Sequence, residues 1–478
     1  MAIITGNASR RTGLTMPDGH AAKIRHTHLF GHPKGLTVLF TTEMWERFSY
    51  AGMSSLLALY LVQHALLPGR VEAVIGYAAV KAALEAVYGT RTLEAFAAQL
   101  VLLFTGIAYS APIVGGYVAD RFLGQRITAV AGALLMAAGH FLMMFEVTLF
   151  FALACLILGI GAFKPNVSTQ VGALYADGDE RRVRAYSIYY LGINIGTFLA
   201  PLTAGTLGQT VGWHYGFGTA GAAMLVATAI YLAGLRHLPP DEVRHDQAAK
   251  APTAPLTSAE RQAVAGLLCV FVLVSFYWAS YSQQDATIQF WSEQYTDRHV
   301  DLGFWQGQLL TAWFLSIGPA AIFVLTPAVI KLWAWQAGRG VEPSTLAKMA
   351  IGFACMSAAN VLLAVGALAA GGGKASPWLL VGYFIIVTVG ELYVAPVGLA
   401  LVSRMAPAKV LSLMMGLWFA ASLPGGILGS WLGGLWDSLS KPHFFLMIAL
   451  APALAGLALY ALRPVLRGAF EERPELRP

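Results

Sequence analysis

Five residues near the amino end share one face of a helix and carry the first chemical signal. Glu43, Glu46, Arg47, Tyr50 and Ser54 fall at i, i+3, i+4, i+7 and i+11, the spacing of a single helical face. Two carboxylates and a guanidinium there cannot point into lipid, so the face lines a polar cavity. Burial raises a carboxyl's proton affinity and a neighbouring cation lowers it. A carboxylate beside Arg47 and near Lys164 can therefore change protonation state as its partner moves, which a proton-coupled carrier requires. Lys164 and Glu391 are further ionisable residues inside apolar runs, and Asp285 falls just beyond one. Such residues are costly in a membrane and mark function by default.

The runs that hold these residues define the class. Hydrophobic residues make up 57% of the 478 positions and charged residues 12%, about half the charged fraction of a soluble domain. That excludes a soluble enzyme, a nucleic-acid binder and a disordered chain. Twelve segments are long and apolar enough to cross a bilayer: 36–62, 96–119, 127–145, 148–172, 184–208, 214–235, 262–284, 305–333, 347–370, 376–402, 408–434 and 442–462. With the amino terminus in the cytoplasm, 23 Lys and Arg fall on cytoplasmic segments and 6 on the opposite loops, Arg47 and Lys164 lying within spans. This asymmetry orients the chain with both termini cytoplasmic. Residues 1–35 form a polar, basic tail without the short apolar core of a cleaved signal peptide. Residues 63–95 are a long outer connection with a helical pattern. The polar stretch 236–261 is the longest interval between spans and separates two sets of six, 36–235 and 262–462, ahead of a tail at 463–478. Two six-helix bundles with a site between them is a transporter layout. The expected fold is all-α: two bundles, twelve transmembrane helices. The net charge of +6 suits loops facing an anionic lipid surface. Cys155, Cys269 and Cys355 lie singly in apolar runs and imply no disulfide framework.

The motifs resemble those of the proton-dependent oligopeptide transporters of the major facilitator superfamily. Glu43-Met44-Trp45-Glu46-Arg47-Phe48-Ser49-Tyr50 is similar to the ExxERFxY signature. GGYVADRFLGQR at 115–126 resembles the loop between helices 2 and 3, with Asp120 and Arg121. GIGAFKPNVS at 159–168 resembles the fourth helix with its lysine, Lys164. YSIYYLGINIGTF at 186–198, with Asn194, resembles the second signature. WASYSQQ at 278–284, GELYVAPVGLALVSRMAP at 390–407 and MMGLWF at 414–419 resemble the seventh, tenth and eleventh helices.

The resemblance implies the major-facilitator fold and a proton-driven importer of di- and tripeptides in a bacterial inner membrane. Protons would be the coupling ion, and no metal or other cofactor is implied. Glu43, Glu46 and Arg47 would serve proton coupling. Arg47, Lys164, Asn194 and Tyr109 would meet the peptide carboxylate, Glu391 its ammonium, and Tyr50, Trp278 and Trp418 its side chains. Asp120 and Arg121 would form a gating loop. A zwitterion needs cations at one end and an anion at the other, and Lys164 and Glu391 lie in different halves. The competing role for Glu391 is a pair with Lys164 that closes the cytoplasmic side. The alternative function is a proton-coupled carrier of nitrate, another anion or a drug on the same fold.

Four departures from the pattern stand out. Ala51 replaces a tyrosine, and Ser54 an arginine. Ser282 replaces an acid, and Gly318, in SIGP at 316–319, an asparagine. The arginine and the acid resemble partners in an outer gate, so a neutral gate around Ser54 and Ser282 is expected. Weaker patterns carry less. GIGAFK lacks the GK[ST] of a phosphate loop. His26, His28 and His32 read as solvated tail residues. Asp177, Asp179 and Glu180, ahead of Arg181, Arg182 and Arg184, read as a solvated loop.

Overall fold

A computed structural model describes residues 28–29, 31–176, 179, 181–241, 255–301, 303 and 306–466. The amino-terminal half holds α1 (Lys34–Tyr60), α2 (Tyr77–Tyr88), α3 (Leu93–Ser110), α4 (Pro112–Val118), α5 (Gln125–Leu142), α6 (Leu149–Ala173), α7 (Arg181–Ala200), α8 (Thr206–Thr210) and α9 (Trp213–Gly234). The carboxyl-terminal half holds α10 (Ser258–Tyr281), α11 (Thr287–Phe290), α12 (Thr311–Phe314), α13 (Ile317–Gly338), α14 (Thr345–Ala369), α15 (Trp378–Met405), α16 (Leu411–Ala420), α17 (Ser422–Gly433) and α18 (Lys441–Ala461). Short π or 3₁₀ turns extend several of them, so that 93–123 and 258–295 each run on as one helical segment.

Ten segments among the described residues are long and apolar enough to cross a membrane. The expected spans at 36–62 and 127–145 are also helical, as α1 and α5, but do not meet that standard. α1 carries Glu43, Glu46 and Arg47 on its inward face. α5 spends part of its 18 residues on Gln125, Arg126 and His140.

Two corrections apply to the all-α expectation. The chain forms two small antiparallel pairs: β1 (His28–Leu29) with β2 (His32–Pro33), and β3 (His299–Asp301) with β4 (Gln306–Gln308). The second pair takes up the start of the expected 305–333 span, so that helix begins at Thr311. The helical pattern in 63–95 is α2, whose only buried residue is Leu84.

Within the amino-terminal half, α1 packs on α7 and α9, and α5 on α6 and α9. In the other half α14 packs on α15 and α18, and α10 on α17 and α18. Glycines let these helices approach closely. A Cβ on Gly115 of α4 would lie 1.9 Å from the Gly161 carbonyl of α6. Caps fix several starts. Thr257 and Glu260 form a reciprocal capping box on α10, satisfying two otherwise unpaired amides.

The bundle has two faces. On the distal face, Ile75 N–H meets Val147 O at 3.1 Å and Asp297 N–H meets Ala375 O at 2.8 Å. The proximal face gathers the start of α1 and both ends of the 236–261 stretch. There Arg126 donates to Asp241 Oδ1 (2.8 Å) and Pro239 O (2.8 Å), and Lys409 donates to Glu260 Oε2 at 3.0 Å. Gly124, at φ 79°, makes the turn beside Asp241 that an L-residue would resist.

Candidate functional site

α1 carries its charges inward as its spacing predicts. Glu43, Glu46 and Arg47 are all buried. Arg47 donates through Nε and Nη2 to both oxygens of Glu46, the bidentate geometry of a strong pair. The same Nε lies 3.5 Å from Glu43 Oε1. Among the described residues Glu43 Oε2 has no hydrogen-bond partner, nor has the buried Tyr189 hydroxyl of α7. One guanidinium thus serves two carboxylates.

The balancing charge is Lys164 on α6. Its ammonium sits 4.5 Å above the Tyr109 ring and makes no ion pair within 4 Å among the described residues. The Arg47 guanidinium lies 5.4 Å from the Tyr50 ring centroid, and Tyr50 and Tyr109 meet edge to face at 6.0 Å. Arg47, Tyr50, Ala108, Tyr109, Ile160 and Lys164 line a narrow crevice. Two cations and two phenols converging there suit an anion. Asn194 on α7 is buried, with its amide donating to Tyr190 O at 2.9 Å.

In the carboxyl-terminal half, Glu391 on α15 accepts a hydrogen bond from the Tyr281 hydroxyl at 3.0 Å. It has no cationic partner within 4 Å among the described residues, and Lys164 is not paired with it. Trp278 meets Tyr281 edge to face at 5.2 Å. Trp418 is buried over Gly398, edge-on to Phe271 at 6.0 Å. Gly318 leaves open space, since a Cβ there would meet only Thr388 Oγ1, at 3.6 Å.

The expected neutral gate is corrected. Ser282 Oγ donates to its own helix at Ala279 O, 3.2 Å away. Ser54 Oγ instead donates to Asp285 Oδ1 at 3.2 Å, and Thr105 Oγ1 to Asp285 Oδ2 at 3.3 Å. Asp285 is thus not beyond the span but inside the 258–295 segment, in the 3₁₀ turn that follows α10. No cation lies within 4 Å of it among the described residues. The sequence places Asp285 just past a span and gives it no partner, because the motif ends at Gln284. The available signal was an acid less than one helical turn past Ser282.

Among the described residues, the hydrogen bonds between the halves lie in the middle and distal parts of the bundle. They include Gln294 and Trp436 to Glu94 (2.7 and 2.8 Å), Trp313 to Thr206 (2.8 Å) and Ser316 to Phe198 O (2.7 Å). The distal face is therefore sealed.

The remaining candidates lie on the proximal face. Asp120 and Arg121 are exposed in the π turn Ala119–Leu123. His32 Nδ1 lies 2.8 Å from the Tyr175 hydroxyl. His26, Asp177 and Glu180 fall outside the described residues. Asp179 pairs with Arg181 at 2.7 Å, and hydrogen bonds from Arg181 hold its carboxyl down to about 2.

Membrane-length helices, charges facing a central cleft and one sealed face define a multi-pass membrane carrier. A sequence model described as POT family matches residues 126–251 and 241–444. The peptide transporter YePEPT of Yersinia enterocolitica subsp. palearctica is 32% identical, over 85% of this chain and 88% of that protein. A di-/tripeptide transporter of Lactococcus lactis subsp. cremoris is 29% identical over 92% of this chain and 97% of that protein. A crystal structure of a peptide transporter POT in complex with sulfate superposes with TM-score 0.80 at 27% identity, over 93% of this chain and 97% of that one. The chain belongs to the POT family of transporters.

Proposed function

We propose that this protein is a proton-coupled symporter that imports di- and tripeptides by alternating access across a bacterial inner membrane. The observation that carries the reading is the split of charge between the halves. Arg47 and Lys164 line a crevice of the amino-terminal half, and Glu391 of the other half has no cation within 4 Å among the described residues. A zwitterion whose ammonium and carboxylate lie one or two residues apart matches that polarity. In this reading α1 and α5 also cross the bilayer, giving twelve spans as 36–235 and 262–462. Both termini are cytoplasmic, and residues 236–261 are a cytoplasmic linker. The sealed distal face is then the outer side, and the conformation faces inward.

The charges suggest how proton and peptide are linked. Glu43, Glu46, Arg47 and Lys164 sum to zero when all are ionised. A peptide carboxylate arriving at Arg47 and Lys164 leaves the cluster one negative charge in excess. Burying an unpaired charge costs several kcal/mol, so a proton taken by Glu43 or Glu46 restores the balance. Asn194 and Tyr109 support the carboxylate end, and Tyr50, Trp278 and Trp418 the side chains. Asp120 and Arg121 act in the proximal loop. Counterflow of labelled dialanine in proteoliposomes tests the substrate class. Exchange of dialanine, with none for nitrate or a free amino acid, is expected. Nitrate exchange without dialanine exchange would favour the anion-carrier alternative.

A further inference from the structure

One carboxylate anchors the distal rim of the seam between α3 and α17. Glu94 stands in the first turn of α3, two residues after its N-cap Thr92. Its Oε2 accepts from Trp436 Nε1 at 2.8 Å and its Oε1 from Gln294 Nε2 at 2.7 Å. Both donors belong to the other half. Beside it, Thr92 Oγ1 donates to Asp437. Trp436 is held before it meets Glu94. It is fully buried and edge-on to Phe444 at 4.9 Å. Lys441 Nζ lies 3.7 Å from its ring centroid and donates to its carbonyl at 2.8 Å.

Deeper in the same seam the helices touch through glycine. A Cβ on Gly426 would lie 2.6 Å from Gly106 Cα, so the helices meet there without an intervening side chain. The second seam joins 198–209 to 312–316 through neutral acceptors only. Thr206 Oγ1 accepts from Trp313 Nε1 at 2.8 Å, and Gln209 Oε1 from Ala312 N–H at 3.1 Å. Bonds to an ionised acceptor are about twice as strong as neutral ones. The two seams are therefore unequal, and the α3–α17 seam holds the charged clasp.

We infer that Glu94 is the latch of the sealed distal face, a positioning residue that sets the balance between its closed and open forms. The inference rests on the transport reading, because alternating access requires this face to open. Moving α3 away from the other half breaks both bonds to Glu94, while the glycine contact deeper in the seam serves as the pivot.

The test uses the full chain in lipid nanodiscs, with spin labels on the exposed residues Val87 and Ser438 and distances read by pulsed electron paramagnetic resonance. Glu94→Gln removes the charge and one acceptor. Trp436→Phe removes the indole N–H and keeps an aromatic ring. Each raises the ratio of open to closed forms by roughly tenfold. Because both weaken the Trp436–Glu94 bond, the double variant opens by less than the sum of the two single shifts. Gln294→Leu, at the exposed end of the clasp, shifts the ratio the same way and serves if the tryptophan variant does not fold. Unchanged distances in Glu94→Gln, or fully additive shifts with Trp436→Phe, overturn the latch. Shifted distances in a protein that exchanges no peptide would remove the substrate reading and leave the latch. Normal exchange with unmoved distances would do the reverse.

Discussion

Glu391→Ala separates an ammonium anchor from a closing contact. In this conformation, among the described residues, the Glu391 carboxylate accepts one hydrogen bond, from Tyr281 at 3.0 Å, and has no cation within 4 Å. A peptide ammonium would supply the missing charge. Truncating one member of a buried charge pair costs about 2–5 kcal/mol, and 1.4 kcal/mol is about tenfold in affinity. Glu391→Ala should therefore weaken dialanine binding by about thirtyfold or more. N-acetyl-dialanine presents no ammonium, so its weaker binding should change by less than about threefold, a margin of roughly 0.6 kcal/mol. Glu391→Gln keeps an acceptor for Tyr281 and loses the charge, so it should track the alanine variant for dialanine. Competition against labelled dialanine in proteoliposomes, with both competitors on all three proteins, gives the ratios. Equal losses for free and acetylated peptide would refute the ammonium assignment and favour a contact that merely closes the site.

Further outcomes follow from the same geometry. Glu43→Gln with Glu46→Gln should abolish concentrative uptake while counterflow persists, because the cluster loses its proton acceptors; concentrative uptake by the double variant would move coupling elsewhere. Asp285 accepts from the Ser54 and Thr105 hydroxyls across the two halves, so Asp285→Leu should favour the open distal face, as read by label distances, and unchanged distances would count against it. Gly115→Ala would put a Cβ 1.9 Å from Gly161 O, an overpacking that costs about 1–3 kcal/mol. Its unfolding midpoint in detergent should fall, and an unchanged midpoint would show that α4 and α6 can part without loss.

The helices were legible because lipid demands long apolar runs, and the charged face of α1 because helical spacing aligns Glu43, Glu46 and Arg47. Other features depend on contacts between residues far apart in sequence. Asp285 gains its meaning from Ser54, 231 positions away. Glu94 lies 342 positions from Trp436, and no local pattern marks either member. The 306–308 strand was hidden for another reason. Its neighbourhood, with Phe304, Trp305, Leu309 and Leu310, has the composition of a span, yet Gln306 and Gly307 lie opposite Asp301 and Val300 in a two-stranded ladder. Local hydropathy does not distinguish a capped hairpin from the first turn of a helix.

The central claim is that one cleft couples a proton to a peptide. Uptake of labelled dialanine into proteoliposomes carrying an inward proton gradient tests it most directly. A membrane potential supplies roughly 2.3 kcal/mol per charge per 100 mV, enough to concentrate a substrate that moves with a proton. Accumulation above the external concentration is expected, abolished by a protonophore and by the paired Glu43→Gln and Glu46→Gln changes. Uptake that only equilibrates dialanine, or accumulation indifferent to the protonophore, would contradict it.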